Sequence, residues 1–420
     1  MSFGTRLKNV FFPSEQRTIS ADAWENIGTP SSSGVTINKN NAMTLSGVYS
    51  AVRVYADALA SLPIHVIKET GRTKEKDKQH PVYKLLAYKP NNIMTSFDWR
   101  QIAIPQLLLW GNSYNLIEFA GGGSRRPISI LPIHPSMVTV NLLDGQLAYT
   151  IKAEGMQDVT VDQSQMIHFR GLGDNIEGKS VLDYAADNLG LGKAAEDFGS
   201  SFFKNGASTS GVLSTEQQLS DKAINNLRDS FNNTYTGVNQ SNKMMILEQG
   251  LKYMQTSVPP DSAQFLESRQ FSISDIARWF KLPPHTIGDL ENATFSNIEQ
   301  QDLNFVKYSI LPYVENMEQE LNCKLFRENE QGTVYVNMNL EGLLRGDITT
   351  RVEAYQKLIQ NGVMTPNEAR SKEGMNPIDG LDNTWMNVAA APIIDGTNQQ
   401  KTEEAPKEDK KENNGTEDNK

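Results

Sequence analysis

Apolar residues recur every three or four positions in the first strongly patterned part of the chain. Their positions are Val48, Val52, Tyr55, Leu59 and Leu62. This period is typical of an amphipathic helix with one buried face. Ser46 is the predicted N-cap, and Pro63 is expected to end the helix and open a strand.

The next segments combine a charged turn with a second helix. Gly71–Lys78 is rich in Lys, Glu and Asp, and we expect it to form a turn. A helix is predicted over Phe97–Trp110 after a Ser96 cap, and Pro105 inside it should bend it.

The pattern changes from Gly111 to short runs rich in β-branched and aromatic residues, separated by turn residues such as the Gly-rich stretch at 121–127. Such runs predict strands of a β meander in one sheet. The predicted strand segments are 112–119, 128–135, 137–143, 149–161 and 166–170. Together with the preceding helices they predict an α+β domain over residues 41–178.

Two long helical patterns follow, at Ser180–Asn205 and Asp261–Lys281. Each is expected to be roughly 30 Å long. The first has an apolar face and several small residues, and helical glycines indicate close packing against a neighbour. The apolar face comprises Leu182, Ala185, Leu189, Phe198 and Phe202, with Gly192, Ala195 and Gly199 beside it. The interval 206–260 is predicted to form a small strand-helix-strand unit between two parallel struts.

The remaining pattern is mostly helical. Ser296 and Glu299 form a predicted capping box for a helix to about Leu325, in which Pro312 should produce a kink. A strand at 333–340 is expected to return to the main sheet. A helix at 348–360 precedes a short helix with helix-start residues at 365, 366 and 368. The arm at 1–40 and the polar tail at 386–420 have no sustained apolar pattern.

Composition narrows the class of protein. The chain has 420 residues, a net charge of −10 and one cysteine, Cys323. A protein that grips DNA by its phosphates should have a basic footprint, but an acidic surface past which DNA slides is compatible with this charge. One cysteine permits no intrachain disulfide. No apolar run has the roughly 20 residues of a membrane span, and no signal peptide is evident, so we expect no membrane partner and assembly in a cytoplasm.

Enzyme signatures are missing from the sequence. It contains no phosphate-binding loop, no zinc-protease motif and no nucleophile elbow. The segment Gly190–Ala195 matches a loose dinucleotide fingerprint, but it lies inside a helical pattern, which favours helix packing. The five histidines lack metal-ligand spacing. We therefore expect no enzyme activity, no catalytic residue, no cofactor and no metal.

One alternative is a DNA-binding regulatory or processing protein that uses the helical hairpin at 353–372. Its second helix carries Arg370 and Lys372 but also Glu368, with Glu373 just beyond it. A recognition helix should present a more basic face to phosphates. A structural scaffold or tail-adaptor subunit is a further alternative.

The segment 282–306 carries four carboxylates and neither Lys nor Arg. The acidic residues are Asp289, Glu291, Glu299 and Asp302. Such a stretch is either a solvated loop or a surface that repels phosphates.

Several ordered segments resemble the portal proteins of long-tailed bacteriophages. They include SGVYSAVRVYADALASLPIHV, LLLWGNSYNLIEF, ILPIHPSMVTV, the stretch from EGKSVLDYAADNLG to GASTSGVL, FKLPPHTIGDLENATFSNIEQQ, ILPYVENMEQELNCKLF and GDITTRVEAYQKLIQNGVMTPNEARSKEGMNPIDG. The similarity covers about residues 41–385. It implies an α+β portal fold with a wing, a two-helix stem, a clip, a long kinked helix with a tunnel loop, and a helical crown.

The resemblance assigns a range to each part. These are the wing at 41–178, stem helices at 179–205 and 261–282, the clip at 206–260, the tunnel loop at 283–297, the long kinked helix with a wing strand at 298–346, and the crown at 347–385. It implies a homo-oligomeric ring, usually a dodecamer, at one vertex of the virion capsid. Double-stranded DNA passes through such a ring transiently during packaging and ejection.

The resemblance also implies partners and candidate sites. The partners are the terminase large subunit, a head-completion adaptor that later replaces it, and the major capsid and scaffold proteins. Candidate residues of the channel are His285, Asp289, Glu291, Asn292, Thr294 and Asn297. Candidate clip residues facing the terminase or the adaptor are Lys222, Arg228, Asp229, Lys243 and Glu248.

Overall fold

A computed structural model describes most of the chain in two separate units. The described residues are 28–71, 73–121, 125–152, 157–173, 176–204, 211–214, 222, 224–225, 252–255, 273–290, 295–343 and 348–384. The first unit lies within residues 1–344 and the second within 345–420.

Eleven α-helices with a continuous range lie in the described parts of the chain, besides the isolated helical residues 222 and 224–225. They are α1 (Lys39–Thr44), α2 (Ser46–Ser61), α3 (Pro81–Ala87), α4 (Ser96–Trp110), α5 (Val181–Tyr184), α6 (Ala186–Lys204), α7 (described over 273–279), α8 (Phe295–Phe305), α9 (Leu311–Leu325), α10 (Ile348–Gln360) and α11 (Pro366–Lys372). Short 3₁₀ turns cover Pro135–Met137, Pro284–Ile287 and Leu340–Gly342.

Thirteen strands form small antiparallel sheets in the same parts of the chain. The strands are β1 (Thr29–Pro30), β2 (Thr36–Ile37), β3 (Ile64–Thr70), β4 (Thr73–Lys76), β5 (Asn112–Phe119), β6 (Pro127–Ile133), β7 (Val138–Leu143), β8 (Gln146–Ile151), β9 (Val159–Asp162), β10 (Met166–Arg170), β11 (Gly211–Ser214), β12 (Lys252–Gln255) and β13 (Val334–Met338). Their orders are β1-β2, β10-β5-β6, β7-β8-β9, β11-β12 and β13-β3-β4.

The meander therefore divides into two sheets, contrary to the single sheet expected from the sequence. Tyr114 of β5 and Tyr149 of β8 belong to one apolar cluster, which the sheets β10-β5-β6 and β7-β8-β9 share. The strand β13 also differs from expectation, because it pairs with β3 in a third sheet. The predicted charged turn at 71–78 contains β4, which pairs with β3.

The predicted helix at 46–61 is present, and its whole apolar face is buried. Val48, Val52, Tyr55 and Leu59 are each at most 3% exposed. The apolar positions predicted from the helical period are therefore residues of the core. Ser46 is not the cap: Leu45 occupies that position, directly after the short helix α1, whose own cap is Asn38.

The helix α4 has a different cap from the predicted one. Thr95, rather than Ser96, forms a capping box with Asp98. Arg100, buried in α4, donates from Nη1 to the carbonyls of Leu59 and Leu62, at 3.2 and 2.5 Å. It thus binds carbonyl groups that the end of α2 leaves without helical partners. Burial lowers the Arg100 pKa to about 10.

The hairpin β1-β2 replaces the last part of the predicted arm. The backbone N–H of Ser32 donates to Asp187 at 2.7 Å, so the hairpin is bonded to α6. A Cβ at Gly190 would lie 2.1 Å from Ser31 Oγ. The glycine of the apparent dinucleotide fingerprint therefore serves helix packing against this hairpin.

The predicted first strut is divided at Ala185 into α5 and α6. Ser180 caps α5 and also donates to the Leu109 carbonyl at 2.6 Å. Leu182, Ala185 and Leu189 are buried as predicted, whereas Phe198 is 55% exposed. Of the predicted second strut at 261–281, the structure describes residues 273–281, and Ile276 and Phe280 among them are buried.

The long helix is interrupted by a π-helical turn at Val306–Ile310. The Leu311 N–H donates to the Val306 carbonyl, five residues back, and Pro312 lies at the start of α9. Proline cannot donate to an α-helical ladder, and the π turn is placed directly before it. Ser296 is not a cap, because α8 already begins at Phe295.

The second unit contains a helical hairpin with the predicted start. Thr365 caps α11 and forms a capping box with Glu368, and Pro366 occupies the first turn. Arg351 of α10 forms an ion pair with Glu373 at 3.1 Å, and Tyr355 donates to the same carboxylate at 2.9 Å. These contacts fix the end of α11 against α10.

Candidate functional site

The acidic segment begins with a tight helix ending. Lys281 has a left-handed backbone with φ 52°. The Leu282 N–H donates to the Ala277 carbonyl at 2.8 Å, which is the long bond of a Schellman motif. The chain therefore turns sharply away from α7 before the two prolines.

A second tight turn follows at Pro284–Ile287. Gly288 adopts φ 94°, which glycine tolerates better than other residues. The Asp289 N–H donates to the Pro284 carbonyl at 3.1 Å. The backbone of Asp289 is thus fixed by the turn itself.

Two buried hydroxyls hold the base of this segment. Tyr55 donates to the Phe280 carbonyl and Ser309 to the Lys281 carbonyl, each at 2.6 Å. Burial raises the pKa of Tyr55 well above its usual range, and nearby Tyr313 adds to this effect. The phenol therefore remains a neutral donor.

His285 connects the two sides of the acidic segment. Its Nδ1 lies 3.0 Å from Gln301 Oε1, and its Nε2 lies 3.0 Å from Asp302 Oδ1. Its side chain is only 13% exposed. The base of the segment is consequently closed by contacts within one chain, and His285 acts as an anchor for it.

The other predicted channel residues differ in their placement. Asp289 is half-buried and Asn297 is exposed, while neighbouring Leu290 is 65% exposed. Glu291, Asn292 and Thr294 lie outside the described residues. The segment 282–306 is free of Lys and Arg, and the nearest cations in sequence, Lys281 and Lys307, flank its two ends.

The predicted clip residues are mostly outside the described parts of the chain. Lys222 is exposed and helical, whereas Arg228, Asp229, Lys243 and Glu248 are not described. The strands β11 and β12 pair antiparallel, with Val212 opposite Met254. The clip range itself remains a prediction.

A buried polar network joins the sheets to the start of the strut. His168 is 3% exposed; its Nδ1 lies 3.2 Å from the Tyr149 hydroxyl and its Nε2 2.9 Å from Asn112 Oδ1. The same Asn112 oxygen accepts from Gly178 N at 2.8 Å. Burial, with help from Arg170 and Lys324, lowers the His168 pKa to about 3. A neutral imidazole that donates from Nε2 and accepts at Nδ1 satisfies every partner.

Sequence reasoning did not single out this network. His168 contacts residues 19 and 56 positions away, and no local spacing reveals such partners. Within the described residues, no group of three or more His, Cys, Asp or Glu side chains could hold a metal ion. Among the helices described, none is both long and apolar enough to cross a bilayer.

Comparison with known proteins identifies the class. The model of the family described as "Phage portal protein" matches residues 46–374, and the chain belongs to that family. The portal protein of Enterobacteria phage HK97 is 31% identical over 371 residues, covering 87% of each protein. The probable portal protein of Streptomyces phage phiC31 is 31% identical over 385 residues, covering 86% of this chain and 83% of the relative.

Solved structures share the fold. A chain from the neck of an empty gene transfer agent particle aligns with a TM-score of 0.57 at 21% identity, covering 81% of this chain and 94% of that one. A HK97 family phage portal protein from Corynebacterium diphtheriae aligns with a TM-score of 0.55 at 17% identity, covering 72% and 95%. The predicted α+β portal fold is confirmed, and nothing in these similarities supports the DNA-binding alternative.

Proposed function

We propose that twelve copies of this chain form a ring at one vertex of a phage capsid. Double-stranded DNA enters and leaves the capsid through this ring. The observation that carries this proposal is the family match over residues 46–374. We assign no catalytic residue to the chain. Its assembly takes place in the host cytoplasm.

The loop at 283–297 of the acidic segment, with Asp289 and Glu291, is the proposed channel surface. Its carboxylates repel phosphates and, in the absence of Lys and Arg, offer DNA no ion pair to hold it. The anchors at Tyr55, His285 and Ser309 keep this segment in place. DNA can therefore move past without adhering to the wall.

The residues 206–260 are the proposed docking surface for the terminase large subunit and later for the head-completion adaptor. The paired strands β11 and β12 support a compact insert at this point. Packaging force then comes from the terminase. The wing faces the capsid and scaffold proteins.

Electron microscopy of the purified full chain tests the ring. We expect closed rings with a central channel in class averages. A strictly monomeric particle at high protein concentration, checked by analytical ultracentrifugation, contradicts the proposal.

A charge reversal tests the docking surface. Lys222→Glu should weaken binding of the phage's own terminase large subunit to preformed rings, measured by interferometry. Lys89→Glu, at an exposed site in the wing range, is the matched control and should bind normally. Equal binding by both variants removes Lys222 from the docking surface.

A further inference from the structure

A cavity of about 260 Å³ opens beside the base of the acidic segment. Its lining comes from five places in the chain, which include the end of β10, α7 and the π turn. The lining residues that matter here are Arg170, Leu172, Trp279, Lys281 and Tyr308. We call this surface the aromatic pocket.

The aromatic pocket exposes large apolar side chains. Leu172 is 83% exposed, Tyr308 59% and Trp279 40%. Clustered exposed apolar residues around a concavity mark an interaction surface. Trp, Tyr and Arg are also the residues that dominate binding energy at protein interfaces.

The charges of the aromatic pocket oppose those of the whole chain. Arg170 and Lys281 are exposed, and neither forms an ion pair within the described residues. No lining residue carries a carboxylate. Lys307 lies 5.0 Å from the centre of the Tyr308 ring. Although the chain has a net charge of −10, the aromatic pocket is basic and is therefore suited to bind an acidic protein surface.

The aromatic pocket is also preformed. The bond from Ser309 to the Lys281 carbonyl ties the π turn to the end of α7, and the rings of Tyr55 and Tyr313 pack edge to face at 5.5 Å. A rigid surface loses little conformational entropy on binding.

A matching projection lies on α8 of the same chain. Leu303 is 47% exposed, and the exposed acid Glu299 lies one helical turn before it on the same face. Leu303 lies on α8 and Tyr308 in the π turn that follows it. A closed ring needs two different, complementary surfaces of this kind on each subunit.

We propose that the aromatic pocket of one subunit receives Leu303 of the next copy in the ring, with Glu299 facing Arg170 and Lys281. This inference rests on the proposed ring and names its subunit contact. The occupant is a second copy because both complementary surfaces are present on this one chain.

Single substitutions test each side of the contact. Trp279→Ala removes the pocket wall and Leu303→Ser removes the projection, and both positions are exposed enough to spare the fold. We expect each variant to need at least tenfold more protein than wild type to form rings, measured by native mass spectrometry. Tyr88→Ala, at a 62% exposed site outside the pocket, should assemble normally, and thermal unfolding should be unchanged in all three.

Mixing the two variants gives a sharper result. Each retains the surface that the other lacks, so an equimolar mixture can form one intact joint per pair and should stop at heterodimers. Normal rings from either variant alone, or no heterodimers in the mixture, overturn the proposed contact while leaving the ring itself in place. A wild-type chain that stays monomeric overturns both the ring and this contact.

Discussion

At the scale of single residues, buried polar side chains decide where the strut begins. His168, Tyr149 and Asn112 form a chain of hydrogen bonds that ends on the Gly178 backbone. Every partner is satisfied only if the imidazole is neutral. Protonation of His168 would therefore place a buried positive charge among hydrogen-bond partners that fit only the neutral imidazole.

The pH dependence of stability should reveal this histidine. The His168 pKa is about 3 in the folded chain and about 6.5 when unfolded, so its contribution is present above about pH 6.5 and is lost as pH falls toward 3. Unfolding then takes up one proton, and stability should fall by up to about 1.4 kcal/mol per pH unit from this group. In His168→Gln this slope should be absent. Urea unfolding at several pH values measures it.

The control for this experiment is His134→Gln, at a half-buried site outside the network. Its pH dependence should follow wild type, since acid effects from carboxylates are common to all three proteins. Identical slopes for wild type and His168→Gln contradict the neutral assignment.

The Tyr55 hydroxyl offers a second residue-level prediction. Tyr55→Phe keeps the ring but leaves the Phe280 carbonyl without its donor. Loss of a buried hydrogen-bond partner costs about 1–3 kcal/mol. Urea unfolding should show this loss, and hydrogen exchange should rise at 282–290. Tyr49→Phe, at a 49% exposed site on the same helix, should change neither; equal effects of both substitutions argue against the anchor.

At the scale of elements, periodicity located the helices better than the sheets. The apolar stripe of α2 was predicted correctly because one face of that helix is buried by the core. Sheet membership could not be read in the same way, because alternation shows that a strand exists and does not show its partner. The division of the meander and the partner of β13 depend on contacts between distant segments, whereas β4 forms a local hairpin with β3 in a stretch whose charged residues had indicated only a turn.

In the candidate site too, the local sequence pattern was predictive and the contacts with other parts of the chain were not. The absence of Lys and Arg between 282 and 306 marked the acidic segment in the sequence. Its anchors were not visible there, since Tyr55 and Phe280 are 225 residues apart. The π turn was also missed: Pro312 predicts an interruption, but not that the preceding turn absorbs an extra residue.

The cap of α11 provides a prediction for one element. Thr365→Ala removes the side chain that accepts from the Glu368 N–H at 3.1 Å, which should cost about 1 kcal/mol. Hydrogen exchange on the full chain should show faster opening at 366–372. Ser371→Ala, at an exposed site in the same helix, should not speed exchange; faster exchange in that control alone would contradict the cap's role.

At the scale of the whole molecule, every charge on one subunit is repeated in each subunit of the proposed ring. Each subunit contributes the same acidic segment to the proposed channel. Asp289→Lys combined with Glu291→Lys changes the sign of this surface without touching the anchors. Rings should assemble as in wild type, whereas DNA packaging and ejection should slow because lysines pair with phosphates.

Rates of packaging in vitro and of DNA release from assembled particles measure this effect. Glu315→Lys, at an exposed site on α9, changes net charge outside the segment and serves as the control. Unchanged packaging and ejection in the double variant would remove any role for charge at this surface.

The closure of the acidic segment by His285 within its own chain has a genetic consequence. The bonds of His285 to Gln301 and Asp302 lie within one chain, so wild-type copies cannot restore them in an altered subunit beside them. In a cell that expresses both alleles, mosaic particles should therefore show a graded defect that follows the proportion of mutant copies. Complementation between the two genes should be partial at every dose.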